Sequence, residues 1–119
     1  FTAPTVGDLA HGLGYSYNQD PNLMYCADAL GTEGAVNWWL PGCGLSSGSS
    51  GGPWIQPFDE GSGTGPIVSV NSWGYTTGPG MAGPKLAGTS AACLFDVAAT
   101  GTPSIPGGDG NAGAAVSCP

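Results

Sequence analysis

The chain has 119 residues, of which 23 are glycine, 11 are proline and 8% are charged. This length fits a single domain, and this composition favours short strands joined by turns over long helices or a highly charged disordered chain. With one lysine, no arginine and a net charge of −7, the chain lacks the cations that bind phosphate backbones or anionic lipids, so we expect neither a nucleic-acid nor a membrane partner.

The N-terminal part of the chain alternates turn-rich segments with short apolar runs. Pro4 and Gly7 interrupt residues 1–13, where we expect at most an edge strand. Residues 14–21 are rich in turn formers, whereas residues 22–29 have the composition of a strand.

A second apolar run, Trp38-Trp39-Leu40, ends at a Pro-Gly pair. Adjacent side chains of a strand point to opposite faces. We therefore expect one tryptophan to pack inside and the other to be exposed or at an interface.

The run GSSGGP at residues 48–53 is the most informative stretch of the chain. A serine between small residues and glycines, on a tight turn, has an uncovered hydroxyl, and consecutive backbone N–H groups there can point at one anion. Acyl transfer needs such a nucleophilic oxygen, here Ser50, and two amide donors about 3 Å from the developing negative charge, here those of Gly48 and Ser50. Taken alone, the run is also compatible with a flexible Ser/Gly linker.

The segments after this loop give one clear strand and one helix. Residues 67–72 alternate in the period of two that is typical of a half-buried strand. We predict a strand at 54–58, a polar hairpin tip at 59–65 and the strand at 67–72, followed by a loop at 78–84. A helix is predicted within 87–99, with Thr89 or Ser90 as its cap and Gly101 at its end. Residues 102–119 are predicted to form a Gly/Pro-rich tail.

Eighteen residues separate GSSGGP from Ser72-Trp73-Gly74, and these two motifs in this order resemble the trypsin/chymotrypsin-like serine endopeptidases. The likeness spans about residues 14–99. It is strongest to the secreted glutamyl-endopeptidase-like branch, through GY at 14–15, LMYC at 23–26, GGPW at 51–54 and SVNS at 69–72. The resemblance implies an all-β fold for residues 1–101, the second, six-stranded antiparallel Greek-key barrel of a double barrel, followed by the tail at 102–119.

The resemblance also implies a role for each motif residue. Ser50 would be the nucleophile, Gly48 and Ser50 the oxyanion donors, and Ser72, Trp73 and Gly74 the strand that pairs with a polypeptide substrate. In family members that cleave after lysine or arginine, an acidic residue occupies the position of Gly44. In glutamyl endopeptidases, a histidine that recognises the glutamate side chain lies near the position of Asn71. We therefore expect any cleavage to favour uncharged residues.

Four cysteines in a short chain poor in lysine are typical of an oxidising compartment, with up to two disulfides in three possible connectivities. Nearest pairing, Cys26 with Cys43 and Cys93 with Cys118, is expected, and the resembling branch pairs the first two. Zinc is disfavoured because there is no Cys-x-x-Cys and only one histidine, so we expect no metal and no cofactor.

A serine without a base is a poor nucleophile, and the base is the missing part of this sequence. The family carries its histidine and aspartate in a separate N-terminal barrel, whereas His11 lies 39 residues before Ser50 within the second-barrel region. We interpret His11 as an ordinary partly exposed side chain, and Asp8, Asp20 and Asp28 as solvated loop charges.

Two functions remain open at this point. The chain is either the C-terminal half of an extracellular serine endopeptidase, inactive alone and completed by an N-terminal barrel on another chain, or a non-catalytic structural protein whose half-barrel associates with copies of itself into a homopolymer or fibre. Because there is neither a leader sequence nor a run of about 20 apolar residues, we expect a mature, soluble and exported protein.

Overall fold

The computed structural model describes residues 1–100 and 117–118. Within these residues the elements are β1 (Leu9–Gly14), a short 3-10 helix (Tyr17–Gln19), β2 (Met24–Ala29), β3 (Gly31–Glu33), β4 (Asn37–Leu40), β5 (Pro53–Ile55), β6 (Ile67–Val70), β7 (Met81–Pro84) and α1 (Ser90–Thr100).

The strands form two antiparallel sheets, which confirms the all-β fold class. One sheet has four strands in the order β2-β1-β5-β6, and the other has three in the order β3-β4-β7. Together with the one α-helix of the described residues, this arrangement agrees with the half of a chymotrypsin-like double barrel that the resemblance implies. Seven strands are present in the described residues, one more than the six expected.

Both sheets contribute to one core, which is centred on the fully buried Trp54. The inward positions of β1 are Ala10, Gly12 and Gly14, and they are small because larger side chains from other strands fill the space in front of them. A Cβ on Gly12, for example, would lie 3.3 Å from Cys26 Sγ and 3.4 Å from Trp54. The core is lined by Ala10, Leu30, Leu40, Cys43, Leu45, Trp54, Val68 and Met81.

Two strand predictions are wrong, and both errors come from glycine and proline. β1 is not an edge strand, since it lies between β2 and β5. β7 lies inside the segment predicted as a loop. Gly83 of β7 is buried, and a Cβ at this position would overlap Ser69 Oγ and the Val70 carbonyl oxygen. The glycine therefore permits close strand packing instead of marking a turn.

The helix α1 lies at the periphery, with no buried residue. Thr89 caps it, since its Oγ1 accepts the N–H of Ala91 at 3.2 Å. Predictions for Gly101 and for most of the tail at 102–119 fall outside the described residues.

Both expected disulfides are present, Cys26–Cys43 and Cys93–Cys118, and the second ties α1 to the described end of the tail.

Candidate active site

The serine loop, residues 43–52, connects β4 to β5 and is held at both ends. Cys43 is bonded to Cys26 of β2 and is buried. Gly48 and Gly51 have φ angles of +96° and +84°, in the left-handed region that favours glycine, so the loop needs glycine at these two positions. This defined conformation excludes the flexible-linker interpretation.

The backbone N–H groups of the loop divide into used and free donors. Those of Ser49, Gly51 and Gly52 donate to the carbonyls of Ser46, Asn71 and Ser49 at 3.1, 2.8 and 3.0 Å. Among the described residues, the N–H groups of Gly48 and Ser50 have no hydrogen-bond partner. The N–H groups of Gly44, Leu45 and Ser47 are free in the described residues as well, so the free donors of the loop include the two that the sequence predicted for an oxyanion.

Ser50 and the predicted substrate strand line the same cavity. This serine cavity has a volume of about 410 Å³. Its walls are Gly44, Leu45, Ser46, Ser47, Ser49 and Ser50 on one side, with Ser72 to Thr76 and Gly78 to Met81 on the other. None of these side chains is charged.

The segment Ser72-Trp73-Gly74 is paired on one side only. The N–H groups of Ser72 and Trp73 donate to the Ala82 carbonyl, and Ala82 N–H donates back to Trp73 at 2.7 Å. Within the described part of the chain, the Ser72 carbonyl and both main-chain groups of Gly74 make no hydrogen bond. Such an open edge can receive an extended peptide as an added strand.

An aromatic cluster of Trp39, Trp73 and Tyr75 stands beside this edge. Trp73 and Tyr75 meet edge to face with ring centroids 5.1 Å apart, and Trp39 lies 5.8 Å from Tyr75. The Tyr75 hydroxyl donates to Glu33 Oε1 at 2.8 Å, and this hydrogen bond raises the pKa of Tyr75 above its ordinary value. Trp38, on the opposite face of β4, packs against the core, but both tryptophans are half-buried, so the predicted division into one inside and one exposed is only partly met.

The only histidine of the chain lies in a different cavity. This histidine cavity, about 390 Å³ in volume, is lined by His11, Leu13, Leu23, Met24, Tyr25, Phe58 and Glu60. The imidazole packs 4.8 Å from the Phe58 ring, and its Nδ1 is buried without a hydrogen-bond partner in the described residues. His11 therefore does not belong to the serine cavity.

The carboxylates considered from the sequence also lie away from Ser50. Asp8, Asp20 and Asp28 are absent from the walls of the serine cavity. Asp28 accepts the N–H of Gly42 at 2.6 Å, which is a structural role.

Within residues 1–100 and 117–118, no group of three or more metal-ligating side chains is found, and no helix is long and apolar enough to cross a membrane.

Sequence reasoning missed three contributors to this site. Glu33 of β3 and Trp39 of β4 do not line the serine cavity, but both contact Tyr75, which does. The side-chain hydrogen bonds of Asn71 lie inside the molecule. No local pattern identifies them, because each acts through residues that are distant along the chain.

The fold corresponds to one domain of the trypsin/chymotrypsin-like serine proteases. The chain is similar in structure to the thermostable serine protease AL20 from an extremophilic microorganism, with a TM-score of 0.66 and 29% sequence identity. The match covers 82% of this chain and 46% of that one, so this chain spans about half the length of its structural neighbour. No protein-family model and no curated protein sequence matches the chain.

Proposed function

We propose that this chain is the nucleophile-bearing half of a serine endopeptidase, which becomes active when a second barrel supplies a histidine and an aspartate. The observation that carries the proposal is that free N–H groups of Gly48 and Ser50 flank an exposed serine at a cavity with an open strand edge. A nucleophile, oxyanion donors and a substrate strand are three of the four parts of this chemistry. The general base is the fourth.

The outer face of the four-stranded sheet is the surface that we propose for the second barrel. Leu9, Tyr25 and Ile67 lie on this face with 54, 70 and 39% of their surfaces exposed. Cross-strand pairing of Leu13 with Tyr25 and of Ile55 with Ile67 makes the face largely apolar, and His11 lies between these two pairs. The likeness to a protease chain about twice as long supports a barrel of similar size as the occupant.

We propose that the substrate side chain entering the serine cavity is uncharged. Gly44 lines the cavity, and a Cβ there would have nothing within 4 Å, so this wall is open and carries no charge.

Kinship with the glutamyl-endopeptidase-like branch is supported by the motifs at 14–15, 23–26, 51–54 and 69–72, without its acidic preference. Two disulfides in a small domain support an extracellular location.

A fusion protein tests the proposal. The chain is joined behind an N-terminal barrel of a trypsin/chymotrypsin-like serine protease, the part that the resemblance expects to carry the histidine and the aspartate. We expect this fusion to cleave peptides after uncharged residues, whereas the chain alone should not. Ser50→Ala should lower the rate about a thousandfold or more.

The matched control is Ser47→Ala, since Ser47 is an exposed serine that lines the same cavity. Its rate should stay within about twofold of the parent fusion, because a surface substitution of this kind changes free energies by only a few tenths of a kcal/mol. Activity that survives Ser50→Ala, or equal cleavage after lysine, arginine or glutamate, contradicts the proposal.

The structural alternative uses the same apolar face with another occupant, a second copy of this chain. It predicts a homopolymer whose size grows with protein concentration, together with an inactive fusion. Native mass measured under reducing and non-reducing conditions distinguishes the two. A second polypeptide that bears a histidine and an aspartate supports the protease, and large assemblies of this chain alone support the structural protein.

A further inference from the structure

Asn71 is a buried amide at the junction of the serine loop, β1 and β5. Only 2% of its surface is exposed. Its main chain already holds the loop, because its N–H donates to Gly52 and its carbonyl accepts the N–H of Gly51, both at 2.8 Å.

The Asn71 side chain also has partners on both its oxygen and its nitrogen. Nδ2 donates to the carbonyls of Leu13 at 2.9 Å and Ser49 at 3.0 Å, and Oδ1 accepts the indole N–H of Trp54 at 2.7 Å. An amide has two N–H donors, and both are used. Asn71 therefore has no free donor with which to bind a substrate side chain.

The neighbouring glycines leave room for this amide. A Cβ on Gly14 would lie 3.0 Å from Asn71 Nδ2 and 2.9 Å from Ser49 Cβ. A Cβ on Gly52 would lie 2.8 Å from the same nitrogen. A side chain at either position would crowd the Asn71 amide.

The Ser49 carbonyl and the Ser50 N–H belong to one peptide group. That group is planar and trans, so its carbonyl and its N–H point in opposite directions. Asn71 Nδ2 and Gly52 N–H both bind the Ser49 oxygen on the buried side. Fixing the oxygen there turns the Ser50 N–H outward.

We propose that Asn71 is a positioning residue, which orients the Ser49–Ser50 peptide so that the Ser50 N–H is available to an oxyanion. This inference rests on the proposed function and adds the device that prepares the donor. The side-chain groups that hold the peptide, the Asn71 amide and the Ser49 hydroxyl bonded to the Ser46 carbonyl, do not ionise near neutral pH. The orientation should therefore not change with pH between about 5 and 9.

The test compares Asn71→Asp with Ser69→Ala by backbone amide exchange in the full chain. Asn71→Asp keeps the acceptor for Trp54 and removes both donors. Ser69→Ala removes another buried hydrogen bond of the same chain region, from Ser69 Oγ to the Pro84 carbonyl. We expect Asn71→Asp to accelerate exchange of the Gly51 and Gly52 amides about tenfold or more and to shift the Ser50 N–H resonance, with β3 and β4 unchanged.

Ser69→Ala should leave the resonance of the Ser50 N–H in place. In the active fusion, Asn71→Asp should lower kcat about a hundredfold with little change in KM, because the lost interaction is made only in the transition state. Should the fusion prove inactive, the proposed function fails, while the exchange and resonance data still decide the role of Asn71.

Uniform acceleration across all strands, or an unmoved Ser50 resonance in folded Asn71→Asp, overturns the proposal. If that variant does not fold, side-chain amide exchange of Asn71 in the parent chain tests the proposal instead. The Nδ2 protons of Asn71 should exchange at least about tenfold more slowly than those of a free amide, and equal rates overturn the proposal as well.

Discussion

The serine cavity and the histidine cavity are nearly equal in size, at about 410 and 390 Å³, but they differ in chemistry. The serine cavity has serine and threonine hydroxyls, glycines and open main-chain groups, with no ionisable side chain apart from the phenol of Tyr75. The histidine cavity holds His11 and Glu60 among aromatic and aliphatic side chains. The chain thus contains a serine, a histidine and carboxylates, but its histidine is not in the cavity that holds the serine.

Under the proposed function, one barrel supplies the main-chain parts of a protease site but not its general base. Oxyanion donors and a substrate strand are main-chain features, so the loop and the strand edge that carry them are sufficient. A general base must lie within hydrogen-bond reach of the nucleophile, which depends on an element packed across the cleft. The following changes test how independent the two cavities are.

Gly52→Ala should have the largest effect. A Cβ at Gly52 would overlap the Leu13 carbonyl oxygen, so the serine loop must detach from β1. We expect a loss of about 3 kcal/mol or more in the free energy of unfolding, measured by denaturant titration.

Gly44→Ala is the control for that change, because its Cβ would meet nothing within 4 Å. It should cost no more than about 0.5 kcal/mol. Equal losses from the two variants would mean that the close approach of Gly52 to β1 is not a constraint.

Removal of the Cys26–Cys43 disulfide should have the next largest effect. It closes a loop with a sequence separation of 17 that ends at the serine loop, so the double alanine variant should lose about 3 kcal/mol. The double variant of Cys93 and Cys118 should leave barrel unfolding nearly unchanged, since α1 buries no residue. Thermal unfolding of both variants measures the difference, and a larger loss from the second would contradict this view of the fold.

His11→Leu should be neutral or stabilising by up to about 1 kcal/mol. The buried Nδ1 has no partner in the described residues, so its removal relieves an unsatisfied polar atom. In the active fusion, the rate of peptide cleavage should not change. A large loss of activity in a folded variant whose two barrels still dock would place His11 in the catalytic site and remove the distinction between the cavities.

The smallest effect concerns the hydrogen bond from Tyr75 to Glu33. This bond raises the pKa of Tyr75, so its small contribution to stability is complete below the pKa of the unfolded chain and is lost as the pH rises through the folded-state pKa. Glu33→Gln removes the negative charge and should lower the pKa of Tyr75, as followed by tyrosinate absorbance. Tyr75→Phe identifies the signal, and an unchanged titration in Glu33→Gln would contradict the assigned cause.

Local requirements made part of this site predictable from sequence. The glycines at 48 and 51 are needed for backbone conformation, and Ser50 stands between them, so the loop was recognisable as a motif. The strand β6 was predicted because its alternation lies within a few residues. Both disulfides agreed with nearest pairing.

Long-range contacts made the rest unpredictable. β7 pairs with β4 across more than 40 residues of chain, and Gly83 is buried there because Trp54 and Ser69 approach it. Asn71 looks like one polar residue in a strand pattern, although its partners are Leu13, Ser49 and Trp54. Such roles depend on which segments the fold brings together.

The most direct test of the central claim is labelling with a fluorophosphonate, mapped by mass spectrometry, on the chain alone and on the fusion with the N-terminal barrel. Labelling needs an activated serine, so we expect almost none on the isolated chain and modification of Ser50 in the fusion. Rapid labelling of Ser50 in the isolated chain would show that a base already lies within reach. No labelling of Ser50 in a folded fusion would show that this loop is not a nucleophile site.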